Sequence, residues 1–127
     1  MSLYKIVNLT PEEAADGPNF IQPGNLITIQ IDLTIISMTS IDLSQMSQTQ
    51  DYSLRAWVSK YPSGISFPPG DYAVKKFGWS PIVIYKSPQT PPDDSFSIMV
   101  EDGKYYLNIL NLTNETNVFG FMKTDLA

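Results

Sequence analysis

The sequence contains no cysteine and no histidine. Without cysteine, the chain cannot form a disulfide, a zinc–thiolate site or an iron–sulfur centre. Without histidine, it lacks the commonest general base and the commonest transition-metal ligand, so a Ser-His-Asp or Cys-His catalytic device cannot be built within one chain. These absences predict a protein that is not an enzyme and that uses no cofactor and no bound metal.

Positive charge is also scarce. The formal net charge is −5, and Arg55 is the single arginine. The densest basic segment is the pair Lys75-Lys76, whereas a phosphate-binding surface needs a larger cluster of cations. An anionic membrane surface attracts basic segments for the same electrostatic reason. We therefore expect neither a nucleic-acid partner nor a membrane partner.

Long hydrophobic segments are missing as well. The longest strongly apolar stretch, residues 26–38, is interrupted by Gln30 and Asp32 and is too short to span a bilayer. Residues 1–9 have no long apolar segment of the kind found in a secretory signal. The chain is therefore expected to be soluble. Its 127 residues fall within the size of one domain, which we place at residues 1–127.

Residues 25–36 read NLITIQIDLTII and show the clearest periodicity in the chain. Apolar residues at every second position from Ile27 to Ile35 alternate with polar ones. Alternation with a period of two is typical of a half-buried strand, and β-branched residues favour the same conformation. The turn signal Pro23-Gly24 comes just before this segment. The pattern predicts a strand with all five apolar side chains on one face.

Shorter segments of similar character predict further strands. They occupy residues 3–9, 54–59, 72–75, 82–86, 96–100, 105–110 and 118–122, with another short strand around Ile41. Residues 10–13, reading TPEE, have the chemistry of a helix N-terminus and predict a single helical turn. Residues 87–95 contain three prolines, which remove backbone donors, so an exposed loop is expected there.

Asp102-Gly103 lies between two of the alternating segments. This dipeptide in that position is the strongest short-range signal of a β-hairpin. It predicts that the strands at residues 96–100 and 105–110 are antiparallel neighbours.

About seven short strands, frequent turns and the lack of a long helical pattern predict an all-β fold, an antiparallel β-sandwich with a long aromatic loop. The long Ile27 strand, the strand that carries Trp57, and the final hairpin with its return strand resemble the layout of an immunoglobulin-like or fibronectin-type module. The resemblance covers most of the chain and is architectural. The Cys…Trp…Cys pattern of antibody domains is missing, so the resemblance assigns no residue a role.

Trp57 interrupts the alternation of its own strand. Leu54, Ala56 and Val58 are apolar and are expected to face the core. Because successive side chains of a strand point to opposite faces of the sheet, Arg55 and Trp57 should point away from the core. Two interpretations are open. In one, Trp57 is covered by a neighbouring loop, and Arg55 lies across its ring as a cation–π partner. In the other, Trp57 is a surface anchor for a ligand or a protein partner.

The segment that would cover Trp57 is long and aromatic. Residues 60–80 read KYPSGISFPPGDYAVKKFGWS, and a connection of this length in a compact domain is commonly functional or mobile. Aromatic rings beside carboxylates and amides can bind sugars, and aromatic anchors also serve protein interfaces. The alternative to a binding surface is a satellite hydrophobic cluster under a long loop. The candidate ligand-binding or partner-binding residues are Arg55, Trp57, Tyr61, Asp71 and Trp79.

These observations favour a non-enzymatic structural or adhesion module that acts through protein–protein contacts. The low charge, the Ser/Thr/Asn-rich strands and the lack of Cys and His resemble domains of phage or viral particle proteins and bacterial surface proteins. That resemblance implies a virion or extracellular location and a protein partner, either another chain or further copies of this one. The alternative is a carbohydrate-binding module whose aromatic residues bind a glycan.

Overall fold

The computed structural model describes residues 5–42, 54–61, 72–75, 82–91, 93, 95–111 and 116–126. In these ranges the protein is all-β apart from one short helix. The elements in chain order are β1 (Lys5–Leu9), α1 (Pro11–Ala15), β2 (Asn19–Ile21), β3 (Asn25–Asp32), β4 (Ile36–Asp42), β5 (Leu54–Ser59), β6 (Tyr72–Lys75), β7 (Ile82–Tyr85), β8 (Phe96–Met99), β9 (Lys104–Asn111) and β10 (Asn117–Asp125). A strand is found at each predicted place, although the long one ends at Asp32 and residues 3 and 4 of the first lie outside the described residues. The sequence did not predict β2, and the total exceeds the expected seven.

The strands form two sheets of five strands each. The first sheet has the order β1-β3-β9-β5-β6, and the second has the order β2-β10-β4-β7-β8. Most neighbours are antiparallel, but β1 pairs with β3 in parallel and β7 pairs with β8 in parallel. The expectation of a wholly antiparallel arrangement is therefore wrong. In both exceptions the connecting segment brings the chain back to the end where the first strand began, as a parallel pair requires.

The inner faces of the two sheets share one hydrophobic core, as in a sandwich. The first sheet contributes mainly alternate residues of β3 and β9, and the second contributes those of β4, β7 and β10. The buried residues of this cluster include Ile27, Ile29, Ile31, Leu107, Ile109, Ile41, Ile82, Ile84, Phe119 and Phe121. Period-two alternation therefore identified the core face correctly along most of β3.

The alternation does not continue to Ile35, because β3 ends at Asp32. Leu33 is still buried, but the Ile35 side chain is exposed. The turn is closed by a hydrogen bond from the Ile35 N–H to the Asp32 carbonyl, and the Asp32 carboxylate accepts from the Thr34 N–H and the Thr34 hydroxyl. Such an aspartate turn reverses the chain and takes it into the other sheet.

The predicted hairpin at Asp102-Gly103 is wrong. β8 pairs with β7 in the second sheet, whereas β9 lies between β3 and β5 in the first. Gly103 has a φ of 149°, far from the roughly +60° to +90° of a two-residue hairpin turn. The link between the sheets is fixed by the Leu33 N–H, which donates to the Gly103 carbonyl at 2.8 Å, and by Lys86 Nζ, which lies 3.2 Å from the Asp102 carboxylate.

Helix α1 begins with a complete capping box. The Thr10 hydroxyl accepts from the Glu13 N–H at 3.1 Å, and the Glu13 carboxylate accepts from the Thr10 N–H at 2.9 Å. The expected helical turn is thus confirmed, and its Ala14 side chain is buried in the shared core. The backbone N–H of Thr10, and then its hydroxyl, favour the ionised carboxylate and lower the pKa of Glu13. The described part of the chain has no helix long and apolar enough to cross a membrane.

Replacing Glu13 with glutamine is expected to flatten the dependence of stability on pH in acid. The pKa of Glu13 is lower in the folded state than in the unfolded chain, so the carboxylate contributes stability above its unfolded pKa. That contribution is lost as the pH falls through the folded pKa. Urea unfolding at a series of pH values between about 6 and 3 measures this slope. Glu12→Gln is the matched control, and an equal flattening in that variant would contradict the role of the capping box.

Candidate functional site

Trp57 lies on the outer face of the first sheet, as parity predicted. Ala56 and Val58 face the shared core, whereas Trp57 joins Leu26 and Leu110 in a separate cluster on the opposite face. Only 2% of the Trp57 surface is exposed. A ring with so little accessible surface cannot stack on a ligand, so the interpretation of Trp57 as a surface anchor is wrong and the covered interpretation agrees with the structure.

The other predicted site residues are only partly described. Arg55 lies on β5, where it pairs with Val74 of β6 and Leu110 of β9. Tyr61 follows the end of β5, and 79% of its surface is exposed. Asp71, Trp79 and the side chain of Arg55 lie outside the described residues. Because the Trp57 ring is covered, it is not part of an exposed site; that Arg55, Tyr61, Asp71 and Trp79 form one stays a prediction.

A buried amide supports the outer face of the first sheet beside Trp57. The Asn108 side chain has no exposed surface. Its Oδ1 accepts from the Thr28 hydroxyl at 3.1 Å, and its Nδ2 donates to the Ser59 hydroxyl at 3.1 Å and to the Tyr106 carbonyl at 3.2 Å. The network connects three adjacent strands, β3, β9 and β5, through side chains on the face away from the main core.

A groove lined by both polar and apolar side chains lies further along the same face, between the first sheet and α1. It has a volume of about 520 Å³. Its floor comes from neighbouring positions of β1, β3 and β9, and the beginning of α1 forms one wall. The floor residues are Asn8, Thr28, Gln30, Asp32, Lys104 and Tyr106. No group of three or more carboxylates in the described part of the chain is arranged to hold a metal ion.

The outer face of the second sheet has a different character, and we call it the second-sheet face. Its described positions alternate with the core residues of β2, β10, β4, β7 and β8. They are Phe20, Val118, Gly120, Met122, Asp42, Ser40, Met38, Thr124, Val83, Tyr85, Ser97 and Met99. Asp42 is the one charged residue among them, and seven of the twelve are apolar or aromatic.

Three large apolar side chains of the second-sheet face are open to solvent. Phe20 is 62% exposed, Met99 is 64% exposed and Met122 is 69% exposed. Met38, Tyr85 and Val118 are half-buried between them, and Val83 is fully buried. Methionine side chains adapt their shape to an apposed surface, which suits an interaction surface.

Sequence reasoning missed the second-sheet face because it concentrated on aromatic residues. A signal was nevertheless present in the final strand. Phe119 and Phe121 point to the core, and the alternate positions Val118, Gly120 and Met122, which should contact water, contain no polar side chain. A search for strands in which neither set of alternate positions is polar would have found the second-sheet face.

The fold and these surfaces define an all-β, sandwich-like protein in which the first sheet has a groove on its outer face and the second sheet has exposed apolar side chains on its outer face. Comparisons of the chain with protein-family models, with curated proteins and with solved structures give no match.

Proposed function

We propose that the protein is a non-enzymatic structural module that binds further copies of itself through the second-sheet face. The observation that carries this proposal is the exposure of Phe20, Met99 and Met122 on a face that has one charged residue among its described positions. Exposed apolar patches of this kind mark contact sites on soluble proteins. Depletion of charge at the centre of a patch is also characteristic of protein interfaces.

Charge favours a second copy of the chain as the occupant. The chain has a net charge of −5, so most pairs of surfaces from two copies repel each other. The second-sheet face is nearly neutral, and contact through it keeps the acidic residues of the two copies apart. Two copies that meet face to face also bury the same apolar residues on both sides.

The size of the face bears on the strength of the contact. Its twelve described positions lie on strands about 4.8 Å apart, with side chains of one face about 6.8 Å apart along each strand, which gives an area on the order of 400 Å². Standard interfaces bury about 600–1,000 Å² per partner, and weak or transient ones bury less. The described part of the face therefore fits a weak contact whose population depends on concentration.

Further parts of this proposal rest on the sequence. The lack of histidine and cysteine supports a non-enzymatic role, because few groups remain that can act as bases near neutral pH. Low charge and strands rich in Ser, Thr and Asn support a place among phage, viral or surface structural proteins. An immunoglobulin-like type of sandwich also belongs to the proposal. Two sheets over one core support it, whereas the missing β8–β9 hairpin weighs against it.

Replacing Met122 with glutamate is expected to weaken self-association at least about tenfold, because a carboxylate would lose its hydration in an apolar contact without gaining a partner. Sedimentation equilibrium of the wild type and the variant measures the dimer dissociation constant.

Ile6→Glu is the matched control. It places the same charge at an exposed apolar residue of β1, in the other sheet, and is expected to leave the dimer constant unchanged. A wild-type protein that is monomeric at every concentration would overturn the proposal, and so would equal weakening by both variants.

A further inference from the structure

We propose that the groove between α1 and the outer face of the first sheet binds a neutral oligosaccharide. This site is separate from the second-sheet face and includes none of the five binding residues proposed from the sequence. Its ligand class follows from the chemistry of the groove floor, its geometry and its charge.

The floor contains hydrogen-bonding side chains without a hydrogen-bond partner in the described part of the chain. The amides of Asn8 and Gln30 and the hydroxyl of Tyr106 make no hydrogen bond to any residue in the described ranges. An amide offers both donors and acceptors, and a phenol offers one of each. Sugar hydroxyls also donate and accept, so these three groups match a polyol better than a purely anionic or cationic ligand.

Strand register places these groups next to each other. Gln30 is directly opposite Tyr106 in the β3–β9 pair, and Asn8 is opposite Thr28 in the β1–β3 pair. Side chains directly opposite each other are about 5 Å apart at their β-carbons. Tyr106 is half-buried, so its ring gives the floor an apolar surface with a fixed position. Sugar recognition combines such a ring with nearby polar groups that fix orientation.

The charge of the groove disfavours anionic ligands. Among the described residues that line it, Glu12, Glu13 and Asp32 are acidic and Lys104 is basic, which leaves an excess of negative charge. Hydrogen bonds from Thr34 lower the pKa of Asp32, and the Thr10 cap lowers that of Glu13, so both stay ionised at neutral pH. These two carboxylates already accept protein hydrogen bonds, whereas Glu12 accepts none within the described part of the chain.

The volume agrees with a small-molecule site. The groove measures about 520 Å³, within the roughly 300–1,000 Å³ that ligand sites occupy.

Titration followed by amide NMR tests the proposal. The probes are neutral hexasaccharides of glucose, xylose and mannose, each to about 10 mM, with hexagalacturonate as the anionic comparison and a lysine-rich peptide as the cationic one. We expect at least one neutral sugar to shift the side-chain amide signals of Asn8 and Gln30. Gln30→Ala and Tyr106→Ala are each expected to weaken that binding at least about tenfold.

Two features keep this test decisive. Gln30 is exposed, so Gln30→Ala retains the fold even where Tyr106→Ala does not, and Gln89→Ala removes an amide that does not line the groove as the matched control. The proposal is overturned if no neutral sugar shifts these signals, if the two groove variants bind as the wild type does, or if hexagalacturonate or the peptide binds more tightly. None of these results bears on self-association through the second-sheet face.

Discussion

Trp57→Ala is expected to lower the free energy of unfolding by about 3–5 kcal/mol, the range for removing a large buried aromatic side chain. The ring is 2% exposed and packs with Leu26 and Leu110. Domains of this size have a total stability of only about 5–15 kcal/mol, so the variant should lose a large fraction of its stability. Urea unfolding followed by circular dichroism measures the change.

Tyr61→Ala is the matched control for this prediction, because it removes an aromatic side chain that is 79% exposed and only four residues away. Its effect should stay within about 0.5 kcal/mol. If Trp57→Ala unfolds at the same urea concentration as the wild type, Trp57 does not stabilise the first sheet and its role as a binding residue has to be considered again.

Asn108→Ala is expected to cost about 2–3 kcal/mol, more than an average substitution. The variant leaves the Thr28 and Ser59 hydroxyls without their partner amide on a face where Asn108 has no exposed surface. It also opens a small cavity where three strands meet. Urea unfolding of the variant, compared with the wild type, gives the change.

A double-mutant cycle separates the hydrogen bond from the cavity. Thr28→Val removes the hydroxyl that donates to Asn108 Oδ1 with little change of shape, and should cost about 1 kcal/mol. In the double variant the two costs should fall short of additivity by about 0.5–1.5 kcal/mol. Simple addition of the two costs would mean that this hydrogen bond contributes nothing measurable.

The sequence predicted the strands well and their partners poorly. Period two located β3 and assigned Ile27, Ile29 and Ile31 to the core, because the alternation of side chains is a local property of a strand. The order of the strands within each sheet is not a local property, because it depends on how the two sheets fit together. Asp102-Gly103 shows the difference: the same turn residues serve a hairpin in one sheet or a link between two sheets.

The candidate sites were harder to predict than the fold. The alternation of side chains along the strand correctly placed Trp57 on the outer face of the first sheet. It does not tell whether other parts of the protein cover that face. The floor of the groove beside α1 forms only because Gln30 pairs with Tyr106, and these two residues are 76 positions apart in the chain. No local pattern contains that pairing. The second-sheet face was within reach, because the unusual apolar row of β10 is visible in the sequence.

Self-association through the second-sheet face can be observed directly by NMR of the protein labelled with carbon-13 at its methionine methyl groups, recorded over a series of protein concentrations. Three of the five methionines, Met38, Met99 and Met122, lie on the second-sheet face. We expect the Met99 and Met122 signals to shift as the concentration rises, and we expect Met122→Glu to abolish the shift of Met99. If both signals stay unchanged while the protein self-associates, the contact lies elsewhere and the second-sheet face is not the interface.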